Sequence, residues 1–151
     1  MSADPLVIRP ARSTDAGAVG GILSGFVEET EWMPQLHSRA EDIGFAGQMI
    51  DREWVNVAER AGSVVGFAAC DGAILHALYV DRSARRQGVG AALLRPLLAR
   101  SDALWLWTFE ANAGAQAFYA AHGFAAAERT DGANNDEGLP DIRFVWTKET
   151  A

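Results

Sequence analysis

The sequence predicts a single mixed α/β domain of 151 residues, a mostly antiparallel sheet flanked by helices in the order βααβββαβαββ. Three observations point to it. Between residues 54 and 80, three short apolar runs are separated by the tight turns Ala61-Gly62 and Asp71-Gly72, the spacing of an antiparallel meander. Helical stripes lie on both sides of that block. Strand-like and helix-like segments then alternate towards the C-terminus, with no repeat and no linker long enough to divide the chain.

Taken in order, Leu6-Val7-Ile8-Arg9 is short and β-branched, and Pro10 stops it as a first strand. Ser13 or Thr14 can cap a helix from Asp15 to about Glu28, with Val19, Ile22, Leu23 and Phe26 at helical spacing. Gly17, Gly20, Gly21 and Gly25 weaken that helix, at up to ~1 kcal/mol each relative to alanine. Trp32-Met33-Pro34 is a loop. Ser38-Arg39-Ala40-Glu41 reads as a capping box and starts a second helix that runs to about Ile50. Strands follow at Trp54–Glu59, Val64–Cys70 and Ala73–Val80. Val89, Leu93 and Leu97 mark a third helix from Gly88 to Leu98, with Pro96 inside it. Ala103–Phe109 is apolar enough to be a central strand. Asn112 can cap a helix over Ala113–His122, and Gly123 ends it. Strands at Ala125–Thr130 and Ile142–Thr147 complete the chain.

Composition narrows the function classes. Half of the residues are apolar, and a chain of this size buries roughly 70 % of its unfolded surface, so it needs no staples. The formal net charge of −7 disfavours a nucleic-acid partner. It is compatible with a cationic ligand, and more simply with plain solubility. The one cysteine, Cys70, sits in a buried-looking strand and reads as a core residue and not a nucleophile. His37, His76 and His122 are scattered, so no metal is expected. Met1 to Asp4 has no basic region followed by an apolar run, and no apolar stretch reaches the ~18 residues of a membrane span. A cytoplasmic location with no membrane partner is the expectation.

The strongest local signal is Arg85-Arg86-Gln87-Gly88-Val89-Gly90, directly between a strand and a helix. Backbone N–H groups at a helix N-terminus form an anion site. Glycines at 88 and 90 let a phosphate approach the backbone, and two arginines add positive charge, which suits a diphosphate. No Gly-Lys-Ser/Thr follows, so this is not a Walker loop. Position 93 is leucine and antiparallel strands come before, so it is not the dinucleotide fingerprint either. Alone, the pattern is equally a glycine-rich helix start.

Read together, Leu75-His76-Ala77-Leu78-Tyr79-Val80, Arg85-x-x-Gly88-x-Gly90, Asn112 with Ala115, Phe118-Tyr119 and Gly123-Phe124 resemble the GNAT superfamily of acetyl-CoA-dependent N-acetyltransferases. The first arginine and the glycines match that family's acyl-CoA signature, and residues 112–124 match its Asn-x-x-Ala-x-x-Phe-Tyr-x-x-x-Gly-Phe helix. The resemblance is specific from about Ile74 to Phe124. It implies the acyl-CoA N-acyltransferase fold, acetyl-CoA as co-substrate, and family members that often dimerise.

The same resemblance implies roles. Arg85, Arg86 and the amides of Gln87, Gly88, Val89, Gly90 and Ala91 would hold the CoA diphosphate. Backbone of Leu78, Tyr79 and Val80 would pair with the pantetheine like another strand, and would face the oxyanion. Asn112 would contact the CoA arm or cap its helix, and Phe118 would border the cofactor. Tyr119 would give its proton to the leaving thiolate; a phenol of ordinary pKa ~10 stays protonated at neutrality yet can serve a thiolate of ~8.5. Its alternative is a core aromatic.

Many family members carry a base glutamate where this chain has Ile74. His76 lies two residues on, and regular alternation would place residues 74, 76, 78 and 80 on one face. Leu75-His76-Ala77-Leu78 resembles the histidine-bearing strand of the arylalkylamine N-acetyltransferases, so His76 is the candidate base or relay, against a structural histidine. The acceptor pocket would draw on Glu28, Glu29, Glu31, Trp32 and His37 from one side. Residues 131–141, including Asp141, with Arg143, would supply the other, and carboxylates there could hold a cationic amine. The expected activity is direct transfer to the amine of a small molecule or peptide in a ternary complex. A non-catalytic acyl-CoA sensor on the same fold is the rival, and a flavodoxin-like nucleotide binder is a third reading.

Overall fold

A computed structural model describes residues 4–150; of the Met1–Asp4 segment read above, all but Asp4 lies outside the described residues. Seven strands form one sheet in the order β1-β2-β3-β4-β5-β7-β6. They are β1 Leu6–Pro10, β2 Val55–Arg60, β3 Ser63–Asp71, β4 Ile74–Val80, β5 Ala103–Phe109, β6 Ala125–Thr130 and β7 Asp141–Thr147. The helices are α1 Ala16–Glu29, α2 Arg39–Asp51, α3 Val89–Arg100 and α4 Ala113–Ala121. Every strand pair is antiparallel except β4–β5.

The sheet separates two cores. On one face Leu93, Leu94 and Leu97 of α3 meet Leu104 and Leu106 of β5 and Ile142, Phe144 and Trp146 of β7. On the other, Val19 and Ile22 of α1 and Ala46, Met49 and Ile50 of α2 cover Val57, Phe67 and Ala69. Strands β2 and β3 are therefore apolar on both sides, while β5 and β7 alternate.

Local chemistry accounts for most boundaries. Ser38 Oγ accepts the Glu41 N–H at 3.1 Å, and Glu41 Oε1 accepts the Ser38 N–H at 2.9 Å, the expected capping box of α2. Asn112 Oδ1 accepts the Ala115 N–H at 3.0 Å and caps α4. At α1 the expectation fails: neither Ser13 nor Thr14 caps the helix. A 3₁₀ turn over Ser13–Asp15 precedes it, and Asp15 Oδ2 accepts the Arg12 N–H at 2.7 Å. The same carboxylate receives both Nη atoms of Arg9, at 2.8 and 3.1 Å, and Arg9 also reaches Glu59 at 2.9 Å, tying β1, β2 and the start of α1 together.

Strand β4 does not alternate regularly. Ala69 pairs with Ala77 and Cys70 with Leu75, which leaves His76 as the extra residue of a β-bulge. The expected common face of residues 74, 76, 78 and 80 is thus broken. Leu75, Leu78 and Val80 pack with the α3/α4 core, and Ala77 and Tyr79 with the α1/α2 core.

Candidate active site

Strands β4 and β5 touch at one point. Ile74 is paired with Trp105, and the Trp105 N–H donates to Ala73 O at 2.8 Å. Beyond it the strands part, so β4 from residue 75 onwards has a backbone edge that β5 does not satisfy. A cleft of about 80 Å³ opens in this gap, bordered by Leu78 and Tyr79 of β4, Phe109 of β5, and Asn112, Ala115 and Tyr119 at α4. A gap of one strand's width with donors and acceptors along its edge suits an extended chain carrying amides.

The turn between β4 and α3 lies at the end of that gap. Gly88 is the N-cap of α3 with φ 80°, and a Cβ there would meet nothing within 4 Å, so the backbone faces open space. The first amides of α3 have no carbonyl partner within the helix. Gly90 has another reason: a Cβ would come 3.2 Å from the Phe118 ring, so this glycine lets α3 pack on α4 rather than clearing a path for phosphate. Arg85 Nε donates to Val80 O at 3.3 Å, and its guanidinium pairs with Glu29. Gln87 accepts from Arg60 at 2.6 Å. Arg86 is exposed, with φ 63°.

Tyr119 is 6 % exposed, edge-on to Phe118 and Phe124, with part of its side chain at the gap. Burial, and then the neighbouring Tyr79 phenol, push its pKa well above the ordinary phenol value. It therefore keeps its proton at neutral pH. One strand away, Thr108 is 8 % exposed and its hydroxyl has no hydrogen-bond partner among the described residues.

Two larger cavities lie on the α1/α2 side. An inner one of about 600 Å³ runs between α1, α2 and β4, past Met49, His76, Tyr79 and Phe109. An outer one of about 510 Å³ lies over β5 and the β6–β7 loop, past Trp107, Thr108, Thr130 and Asp141. His76 and Tyr79 border both the inner cavity and the gap. Phe109 borders all three spaces. The His76 ring stacks on Trp54, 4.8 Å between centroids, and its Nε2 lies 3.9 Å from Asp71 Oδ2. Among the described residues, no group of three or more His, Cys, Asp or Glu side chains is placed to hold a metal ion, and no helix is long and apolar enough to cross a membrane.

A model of the acetyltransferase (GNAT) domain matches residues 40–126, more than half of the chain. The chain belongs to the GNAT acetyltransferase family. Solved structures share its fold over nearly their whole length. YjaB from Escherichia coli, in its apo form, aligns with TM-score 0.78 and 23 % identity, covering 94 % of this chain and 97 % of that one. The ribosomal-protein-alanine N-acetyltransferase of Brucella melitensis gives 0.75 and 24 %, over 93 % and 99 %. yncA of Salmonella typhimurium, solved with its cofactor acetyl-CoA, gives 0.76 and 18 %, over 95 % and 94 %. No curated protein matches the sequence.

Within this GNAT fold the residues expected at the acceptor site separate. Glu28 is bound to Arg39 on the surface, and Glu29 to Arg85 and Arg82. Glu31 is exposed. Trp32 packs edge-on against Phe26 and Phe109, behind the cavity walls. Arg143 lies against Glu128 and the Trp105 ring, outside the three spaces described. Asp141 does border the outer cavity, but holds Thr130 and Asn135. His37 borders the inner cavity. Sequence reading did not single out Thr108, Phe109 or Glu137. Phe109 is the last residue of an apolar strand, and only the point where β4 and β5 part makes it a cavity wall.

Proposed function

We propose that this protein is an N-acetyltransferase that moves an acetyl group from acetyl-CoA to an amine by direct attack. The observation that carries the reading is the parted β4–β5 edge, with the open N-terminus of α3 at one end and the buried, protonated Tyr119 alongside. In this reading the α3 amides at Val89, Gly90 and Ala91 hold the diphosphate. The free β4 edge at Leu78 and Val80 binds the pantetheine amides, and Asn112 lines the arm while capping its helix. The thioester then lies where the gap meets the inner cavity, beside His76 and Tyr79.

Each group has one task. His76 takes a proton from the acceptor ammonium, and Asp71 steadies the imidazolium. The freed nitrogen attacks the thioester carbonyl carbon, backbone N–H groups of β4 face the carbonyl oxygen, the C–S bond breaks as Tyr119 protonates the sulfur, the second proton of the nitrogen restores the Tyr119 phenol, and His76 releases its proton to water. The products are an amide and the free thiol of CoA. Arg85 acts through position: with Glu29 it fixes the turn whose amides meet the diphosphate.

A panel of primary amines assayed for thiol release tests this, with calorimetry of acetyl-CoA alongside. Turnover with at least one amine supports the reading. Ile74, in the place of the usual glutamate, favours the rival sensor; tight acetyl-CoA binding with no thiol release from any amine would establish it.

A further inference from the structure

The acceptor side contains a carboxylate left over by the rest of the site. Glu137, in the β6–β7 loop, is half-buried and borders both the inner and the outer cavity. Among the described residues it makes no hydrogen bond or ion pair, whereas its neighbours are engaged. Asp42 accepts from the buried Ser24 hydroxyl at 2.6 Å, Glu41 is used in the capping box, and Glu128 is paired with Arg143. Asp136 is also unpaired but is exposed at the rim. A carboxylate partly withdrawn from water without a partner is costly, and a bound cation relieves that cost.

Its location separates it from the chemistry. Glu137 does not border the β4–β5 gap, whereas His76, Tyr79 and Phe109 do. It faces that region all the same: Tyr79, raised to about 12, owes the shift to burial first and to the Glu137 charge second. A carboxylate against the reacting nitrogen would hold it as ammonium and oppose attack. One set back has the opposite merit, because it binds charge without touching the nucleophile. Between Glu137 and His76 the wall is apolar at Phe109, which borders both cavities and the gap.

Building on the acetyltransferase reading, we propose that the acceptor is a dication: an amine with a second, non-reacting ammonium, held by Glu137, which borders both cavities, while the first meets the thioester beside His76. A short apolar spacer, as in an α,ω-diaminoalkane, fits a path along Phe109.

The test compares α,ω-diaminoalkanes with monoalkylamines of equal chain length. The wild-type protein should favour the diamine in kcat/KM by roughly tenfold or more, the effect of one charge-assisted contact. Glu137→Gln should collapse that ratio to within about threefold, chiefly through KM for the diamine. KM for acetyl-CoA should stay unchanged, Glu137→Asp should restore part of the ratio, and Asp136→Asn should keep it. No diamine preference in the wild type, or a preference that survives Glu137→Gln, overturns the proposal. If no amine is acetylated, the acetyltransferase reading fails by itself. Calorimetry of the diamine with the CoA-loaded protein then decides: binding weakened about tenfold in Glu137→Gln supports the anchor, and equal binding overturns it.

Discussion

Tyr119 and His76 occupy opposite sides of the same gap, and their surroundings predict different behaviour. Tyr119→Phe keeps the ring against Phe118 and Phe124 and removes only the proton. It should lower kcat by roughly 10²–10⁴-fold with Tm nearly constant, read by thiol release and thermal melting. A rate within a few-fold of the parent would mean that water protonates the sulfur. His76 is exposed, faced by Asp71 and stacked on Trp54, and the Arg52 guanidinium also lies over that indole, 4.9 Å from its centroid. His76→Gln should lower kcat/KM by roughly 10²-fold or more; a mutant that keeps the parent's rate makes this histidine structural. Sequence singled out both residues as candidates, but the regular alternation it implied through residues 74–80 does not hold: the bulge at His76, which has no sequence signal here, sets it against the inner cavity. Glu137 was legible only as one carboxylate of the 131–141 loop expected at the acceptor pocket: that loop has no periodicity, and which carboxylate is left over depends on which of its neighbours already have partners.

At the scale of elements, Gly88 decides how α3 begins. Its φ of 80° is in the left-handed region, so any Cβ costs roughly 1–2 kcal/mol before it reaches a ligand. Gly88→Val should therefore weaken acetyl-CoA binding, measured by calorimetry, and also lower Tm. Unchanged affinity would remove the diphosphate from this turn. The start of α1 depends on Asp15, whose pKa is lowered mainly by hydrogen bonds from Arg9. Its contribution to stability is complete above the ordinary aspartate value of ~3.9 and is lost as pH falls through the lowered native value. Asp15→Asn should cost about 1.5–3 kcal/mol at neutral pH, and the mutant's stability should fall less steeply on acidification. A Tm equal to the parent's at pH 7 would contradict this. The glycines of α1 looked like weaknesses in the sequence. At Gly20 a Cβ would lie 2.6 Å from the Ile43 backbone, so this glycine is where α2 lies against α1. Sequence periodicity identifies each helix but not which residues meet between them.

For the whole molecule, element order was legible because each strand is bounded by turn residues and each helix carries its own stripe or cap. Strands β5 and β6 fall where the apolar runs place them, at Ala103–Phe109 and Ala125–Thr130. What one sequence could not supply is the single contact between β4 and β5, since no local pattern marks where two parallel strands stop pairing. The proposed transfer depends on that parting, which brings the gap and the inner cavity together at His76 and Tyr79. The most direct measurement is a single-turnover experiment with enzyme in excess over acetyl-CoA, with and without a diamine, following free thiol, acetylated amine and acetylated protein by mass spectrometry. Direct transfer predicts thiol and acetylated amine in equal amounts only when the amine is present, and no acetyl group on the protein. Thiol release without amine and with acetyl left on the chain, or bound acetyl-CoA that stays intact in the presence of amine, would contradict it.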